Sequence, residues 1–188
     1  MQRLRGLMAG LRPPHQAPHT RLLFVCTGNI CRSPCGEAVM RARLAEAGRS
    51  RAISVASAGT HAMRGSAPDA RATRAAKERG YDLSAIRARQ FVVEDFSRFD
   101  RILVMDEGHA EWLRSQSSAP IPASIEMLMT HARRHADVLE VPDPYYGAPE
   151  GFQIALDLIE DACDGLLLAL KAEGNLPDES PQGVTRAS

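Results

Sequence analysis

An α/β architecture of three layers, a parallel four-stranded sheet with helices on both faces, is what this chain predicts. Four short apolar runs, at residues 22–25, 53–57, 101–105 and 138–141, alternate with helix-like stretches. Apolar runs of this length, bounded by turn residues, suit strands that are buried on both faces. Ser33-Pro34 follows the first run and opens a helix, with serine suited to the cap and proline to the first turn. The 188 residues, 44% hydrophobic and 24% charged, can bury one core of ordinary globular composition.

Each element has its own warrant. Leu22-Leu23-Phe24-Val25 is the first strand. The helix over 33–48 gathers Ala38, Val39, Ala42, Leu44 and Ala45, sets Glu37, Arg41, Arg43 and Glu46 elsewhere, and closes at Gly48. Residues 53–57 are the second strand and 58–63 a loop at its carboxyl end. Pro68-Asp69-Ala70 starts a helix that runs to Gly80, 81–90 is a connection, and 91–99 holds a short helix. Residues 101–105 form the third strand; Asp106 then either caps the helix that runs through Leu113 or serves a functional site. Residues 124–131 read as a short helix and 138–141 as the last strand. Pro142-Asp143-Pro144 bars regular structure. The final helix, 151–170, carries the stripe Phe152, Leu156, Ile159, Leu166 and Leu167.

The expected organisation is a single domain over 21–172, a disordered extension at 1–20 and a mobile tail at 173–188. Arg5 interrupts the only apolar stretch of the extension, which argues against a signal peptide. Lys+Arg and Asp+Glu both number 23, so no net charge points to nucleic acid or an anionic membrane. No apolar run approaches the length of a membrane span. Three of the four cysteines, Cys26, Cys31 and Cys35, fall within ten residues, with Cys163 far away. A secreted disulfide framework would spread them, so the clustering suggests a reducing cytoplasm.

Chemistry gathers where the first strand ends. Cys26-Thr27-Gly28-Asn29-Ile30-Cys31-Arg32 joins strand to helix through a glycine-bearing loop. Backbone N–H groups of such a loop turn inward, and the helix N-terminus adds about half a positive charge, which makes an anion cradle. A cysteine at its base is favoured as thiolate, and the Arg32 fork matches two phosphate oxygens. In a doubly covered parallel sheet, ligands sit beyond the carboxyl ends of the strands. Cys26, Ser57, Asp106 and Asp143 all fall there in this reading. Asp143 is then either a turn residue or an acid facing the cradle.

The stretch CTGNICRSP, with Asp143-Pro144-Tyr145-Tyr146-Gly147 far downstream, resembles the signature and general-acid loops of the low-molecular-weight protein tyrosine phosphatases. The resemblance spans roughly 21–171 and implies strand order 2-1-3-4. It implies hydrolysis of phosphotyrosine in proteins and of small aryl phosphates through a thiophosphate, with no metal or other cofactor. Cys26 would be the nucleophile, Arg32 and the backbone of Thr27, Gly28, Asn29, Ile30 and Cys31 the phosphate site, and Asp143 the acid. Ser33, Asn29 and Ser57 would support the loop; Met63, Tyr145 and Tyr146 would wall the pocket. Cys31 would be a redox partner of Cys26, and a tyrosine kinase the physiological counterpart.

Other readings compete. Cys26-x4-Cys31 with His131-x3-His135 imitates a zinc site, but the pairs lie about a hundred residues apart, unlike structural zinc pairs. Arsenate reductases of similar sequence need further cysteines, and residues 70–100 hold none. Protein-arginine phosphatases tend to carry a threonine where Ile30 stands. A non-catalytic phosphotyrosine-binding module would need the cradle but not Asp143. Two departures from the resemblance stand out: Met63 in place of an aromatic wall residue, and Ile86 in place of a histidine that joins the loop's supporting network.

Overall fold

The computed structural model of the chain describes residues 20–176. In chain order the elements are β1 (Thr20–Cys26), α1 (Arg32–Glu46), β2 (Ile53–Gly59), α2 (Ala70–Glu78), α3 (Asp95–Arg98) and β3 (Arg101–Val104). α4 (Glu107–Ser115), β4 (Ser124–Met127), a 3-10 turn at Leu128–His131 and α5 (Glu150–Ala172) complete them. The four strands form one parallel sheet in the order β2-β1-β3-β4, as the resemblance implied.

β1 lies inside the sheet and is buried on both sides. Leu22, Phe24 and Cys26 join the core beneath α1 and α5, while Leu23 and Val25 face α3 and α4 with Ile102 and Val104. Sheet pleating puts successive side chains on opposite faces, so one unbroken apolar strand supplies both cores. α1 and α5 pack face to face on the first side. Gly165 lets α5 approach the 3-10 turn so closely that an added Cβ would collide with the His131 carbonyl.

The sequence reading errs at the sheet edge. The fourth strand is Ser124–Met127, expected as a helix, and residues 138–141 form no strand. Ile125 and Met127 pack on the α4 side, while Glu126 turns the other way and receives Arg101 and His131. That polar-apolar alternation marks an edge strand, and one charged residue within four hid it. In the 138–141 segment Leu139 is 74% exposed, and only Val141 is buried. The Val141 N–H donates to the Met105 carbonyl at 2.8 Å, which carries the chain past the end of β3 and sets Asp143 down there. Thr20 already belongs to β1, and Leu176 is buried against the core, so neither fits the extension or tail expected for it. The rest of both segments, 1–19 and 177–188, lies outside the described residues. Among the described residues no helix is long and apolar enough to cross a membrane.

Asp161, buried on α5, organises the loop that follows the 3-10 turn. It accepts the Arg134 and His135 N–H groups, both at 2.9 Å, and its Oδ2 lies 3.1 Å from His135 Nδ1. Burial alone would raise its pKa, but these donors prevail and hold it at about 2. A carboxylate lowered on folding stabilises the protein above its unfolded pKa, about 3.9, and that stabilisation is lost as pH falls through the folded value. Asp161→Asn is therefore expected to cost about 2 kcal/mol at neutral pH, with the deficit closing between about pH 4 and pH 2. Urea denaturation across that range tests it; a deficit that ignores pH would contradict the assignment.

Candidate active site

β1 ends at Cys26 and α1 begins at Arg32, so residues 27–31 must reverse the chain in five residues. Asn29 makes this possible with φ at 53°, the only non-glycine residue with positive φ among the described residues. That conformation costs about 1 kcal/mol in an L-residue and persists only where its surroundings dictate it. Here the Asn29 side chain is fully committed. Its Nδ2 donates to Ser33 Oγ at 2.9 Å and to Ser57 Oγ at 2.8 Å, and its Oδ1 accepts the Arg89 N–H at 2.9 Å. Gly59 at the end of β2 comes so close that a Cβ there would lie 2.5 Å from the Thr27 carbonyl and 2.9 Å from the Asn29 nitrogen. Any side chain at that position would push the loop out of shape.

Ser33 does not cap α1. The cap position is Cys31, and no side chain caps the helix. Ser33 instead turns inward: its Oγ lies 3.0 Å from Cys26 Sγ and 3.2 Å from the Ala58 carbonyl. Since Asn29 donates to this hydroxyl, its single proton is available to the carbonyl or to the sulfur. The first turn of α1 holds no acid, so its uncapped N–H groups keep their positive field for a ligand. Cys26 is 3% exposed and forms the floor of a cavity of about 270 Å³.

Arg32 is buried beside that floor. Both Nη1 protons are committed, to Asp106 Oδ2 at 2.7 Å and to the Val141 carbonyl at 3.0 Å. Nη2 donates to Asp143 Oδ2 at 3.0 Å. Burial would raise the Asp106 pKa, yet His109 and Arg32 together hold the carboxyl well below the usual carboxylate range. Asp106 caps α4 by accepting the His109 N–H, and its other oxygen holds Arg32. Asp143 also accepts the Tyr145 N–H, which ties its carboxyl to the turn that carries it.

Thr27, Gly28, Ile30 and Cys31 line one side of the cavity, and Asp143, Tyr145 and Tyr146 the other. The two tyrosine rings meet edge to face, with Arg71 stacked over Tyr145 and Phe152. Met63, expected as a wall, is 78% exposed and absent from the lining residues. The short loop past β2 carries it outward. Ile86 is buried in the apolar core and joins no polar network. The imitation zinc set does not assemble, for His131 is engaged with Glu126 and His135 with Asp161. Among the described residues no cluster of three or more potential ligands could hold a metal ion.

Two site-bearing residues escaped the sequence reading. Glu37 is buried, accepts the Ser57 hydroxyl at 2.5 Å and pairs with Arg41 at 2.7 Å. Its place four residues after Ser33, on the same face of α1, was the available signal. His109 gave no signal beyond its place three residues after Asp106, because its other partner, Thr27, lies on a distant loop.

A thiol at the base of a strand-loop-helix anion cradle, facing an arginine fork and a carboxyl, defines the class of cysteine-based phosphate-monoester hydrolases. The family profile described as low molecular weight phosphotyrosine protein phosphatase matches residues 21–176, and the chain belongs to that family, a family of hydrolases. A Synechocystis relative that bears the low molecular weight protein-tyrosine-phosphatase name provisionally is 44% identical over 155 residues, which cover 81% of this chain and 98% of that one. The human low molecular weight phosphotyrosine protein phosphatase is 37% identical over 149 residues, covering 78% and 92%. The crystal structure of YfkJ from Bacillus subtilis superposes with a TM-score of 0.78 at 32% identity, over 85% of this chain and 99% of that one.

Proposed function

We propose that Cys26, Arg32 and Asp143 carry the family's reaction in this chain, with phosphotyrosine in proteins and small aryl phosphates as substrates. The observation that carries this reading is the donor count of Arg32. With both Nη1 protons spent on Asp106 and Val141, the Nε and Nη2 edge is left to grip two phosphoryl oxygens. The third oxygen faces the N–H groups of the loop. An arriving phosphoryl group replaces the Asp143 carboxyl on Nη2 and releases it toward the leaving oxygen.

In the first step the Cys26 sulfur attacks phosphorus, the bond from phosphorus to the aryl oxygen breaks, and Asp143 in its carboxyl form donates a proton to that oxygen. In the second, the Asp143 carboxylate takes a proton from water, the water oxygen attacks phosphorus, and the sulfur–phosphorus bond breaks. The Ser33 hydroxyl donates to the departing sulfur. Tyr145, Tyr146 and Ile30 flank the mouth and suit a flat aromatic leaving group. Four free thiols fit work in a reducing cytoplasm, with a protein tyrosine kinase as the opposing enzyme.

Cys31 is proposed as the resolving thiol. Burial pushes its pKa up, so it waits as a thiol beside the cradle. Peroxide converts the Cys26 thiolate to a sulfenic acid; the Cys31 sulfur then displaces water and forms a disulfide that blocks further oxidation.

Cys26→Ser is expected to abolish hydrolysis of p-nitrophenyl phosphate. Asp143→Ala should slow phenyl phosphate by about 10²-fold or more and affect an activated nitrophenyl ester much less. Substantial turnover by the serine variant, or equal slowing of both esters, would refute the roles. Peptide mapping after peroxide should recover Cys26 joined to Cys31; recovery of Cys26 joined to Cys35 would reassign the partner.

A further inference from the structure

The reaction scheme leaves one buried imidazole at the site without a task. His109, in the first turn of α4, is 4% exposed. Its Nε2 lies 2.9 Å from Thr27 Oγ1. Its Nδ1 approaches Asp106 Oδ1 at 2.8 Å, off the line of a straight hydrogen bond. Thr27 follows Cys26 directly and lines the cavity. Asp106 holds Arg32 through its other oxygen. One ring therefore touches the neighbour of the sulfur, on a separate loop, and the anchor of the arginine, at the N-cap of its own helix.

Helix capping does not account for the ring. The cap bond runs from the His109 backbone N–H to Asp106 Oδ1 at 3.0 Å, and any residue but proline would keep it. What the imidazole adds is the pair of side-chain contacts. Beside a carboxylate, Nδ1 carries the proton, and Nε2 is then left to accept the Thr27 hydroxyl. That bond selects one rotamer of a β-branched residue whose own N–H belongs to the cradle. The Nδ1 approach adds a second, electrostatic hold on Asp106 Oδ1 beside the cap bond, while Oδ2 stays turned to Arg32.

We propose that His109 is a positioning residue for the phosphatase reaction: by holding Thr27 and Asp106 together, it fixes the cradle beside Cys26 and the Nε and Nη2 edge of Arg32 against each other. The proposal rests on the reading of Cys26 and Arg32 given above. It assigns His109 no proton transfer to or from the substrate.

Replacing both ring contacts separates positioning from packing. His109→Leu is expected to lower kcat for p-nitrophenyl phosphate by about tenfold and to weaken vanadate binding by a similar factor. Thr27→Val should reproduce part of the loss, and the Thr27→Val/His109→Leu double variant should fall clearly short of the product of the two losses. Glutamine places its amide near Nε2 and asparagine near Nδ1. His109→Gln should therefore recover the contribution of Thr27, and His109→Asn the vanadate affinity that depends on Arg32. Variants within twofold of the parent in kcat and vanadate affinity would overturn the proposal, as would a lowered melting temperature with both constants intact, or losses that multiply. Calorimetric vanadate binding reads the effect of His109 without turnover. An inactive parent that still shows this pattern in binding would count against the phosphatase reading and not against the role of His109.

Discussion

The left-handed backbone of Asn29 is the constraint on which the site depends. A loop of five residues between β1 and α1 can aim its N–H groups at one point only if the chain bends as an L-residue seldom does. The cost of that bend is met by three hydrogen bonds to the Asn29 side chain, from and to three separate segments. The same network continues to Ser33 and the Cys26 sulfur on one side, and to Ser57, Glu37 and Arg41 on the other. The sulfur thus sits at one end of a buried polar chain whose far end is an ion pair at the surface of α1. Buried networks of this kind hold a single geometry when every member is satisfied.

The sheet explains why the parts meet. β1 is buried between two cores, so the Cys26 sulfur hangs from a strand end packed on both faces. β2 brings Gly59 and Ser57 against one flank of the loop; β3 delivers Asp106, and the chain beyond Val141 delivers Asp143 to the other. Arg32 is where these deliveries converge. It spends its donors on two carboxylates and a carbonyl from segments more than seventy residues away, so its orientation reports the packing of the whole carboxyl end of the sheet.

How much of this could be read beforehand follows from the range of each signal. The first strand, the loop and α1 are contiguous and announced by local chemistry: an apolar run, a glycine, then Ser-Pro. The prolines that flank Asp143 left it open as a turn residue or an acid, and only the resemblance of Asp143-Pro144-Tyr145-Tyr146-Gly147 singled it out. β4 was misread because four residues of an edge strand, one of them a glutamate paired to Arg101, show too little pattern, whereas the run at 138–141, with Leu139 exposed and Val138 only partly buried, looked like a core strand. Ser33 was read both as a helix cap, because serine before proline usually is one, and as a partner of Cys26; the structure shows only the second. Glu37 and Arg41 looked like a solvated helix face until β2 covered half of it. The Thr27 contact of His109 depends on the packing of α4 against the loop after β1, and sequence periodicity carries no information on that.

The account centres on the Cys26 sulfur as the atom that takes the phosphoryl group. Acid-quenched protein from the first turnovers of p-nitrophenyl phosphate, digested and sequenced by mass spectrometry at low temperature, tests this most directly. A phosphoryl group on Cys26 that appears within one turnover and decays with excess substrate removed is the predicted result. Steady hydrolysis with Cys26 unmodified throughout, or with the label on another side chain, would contradict it.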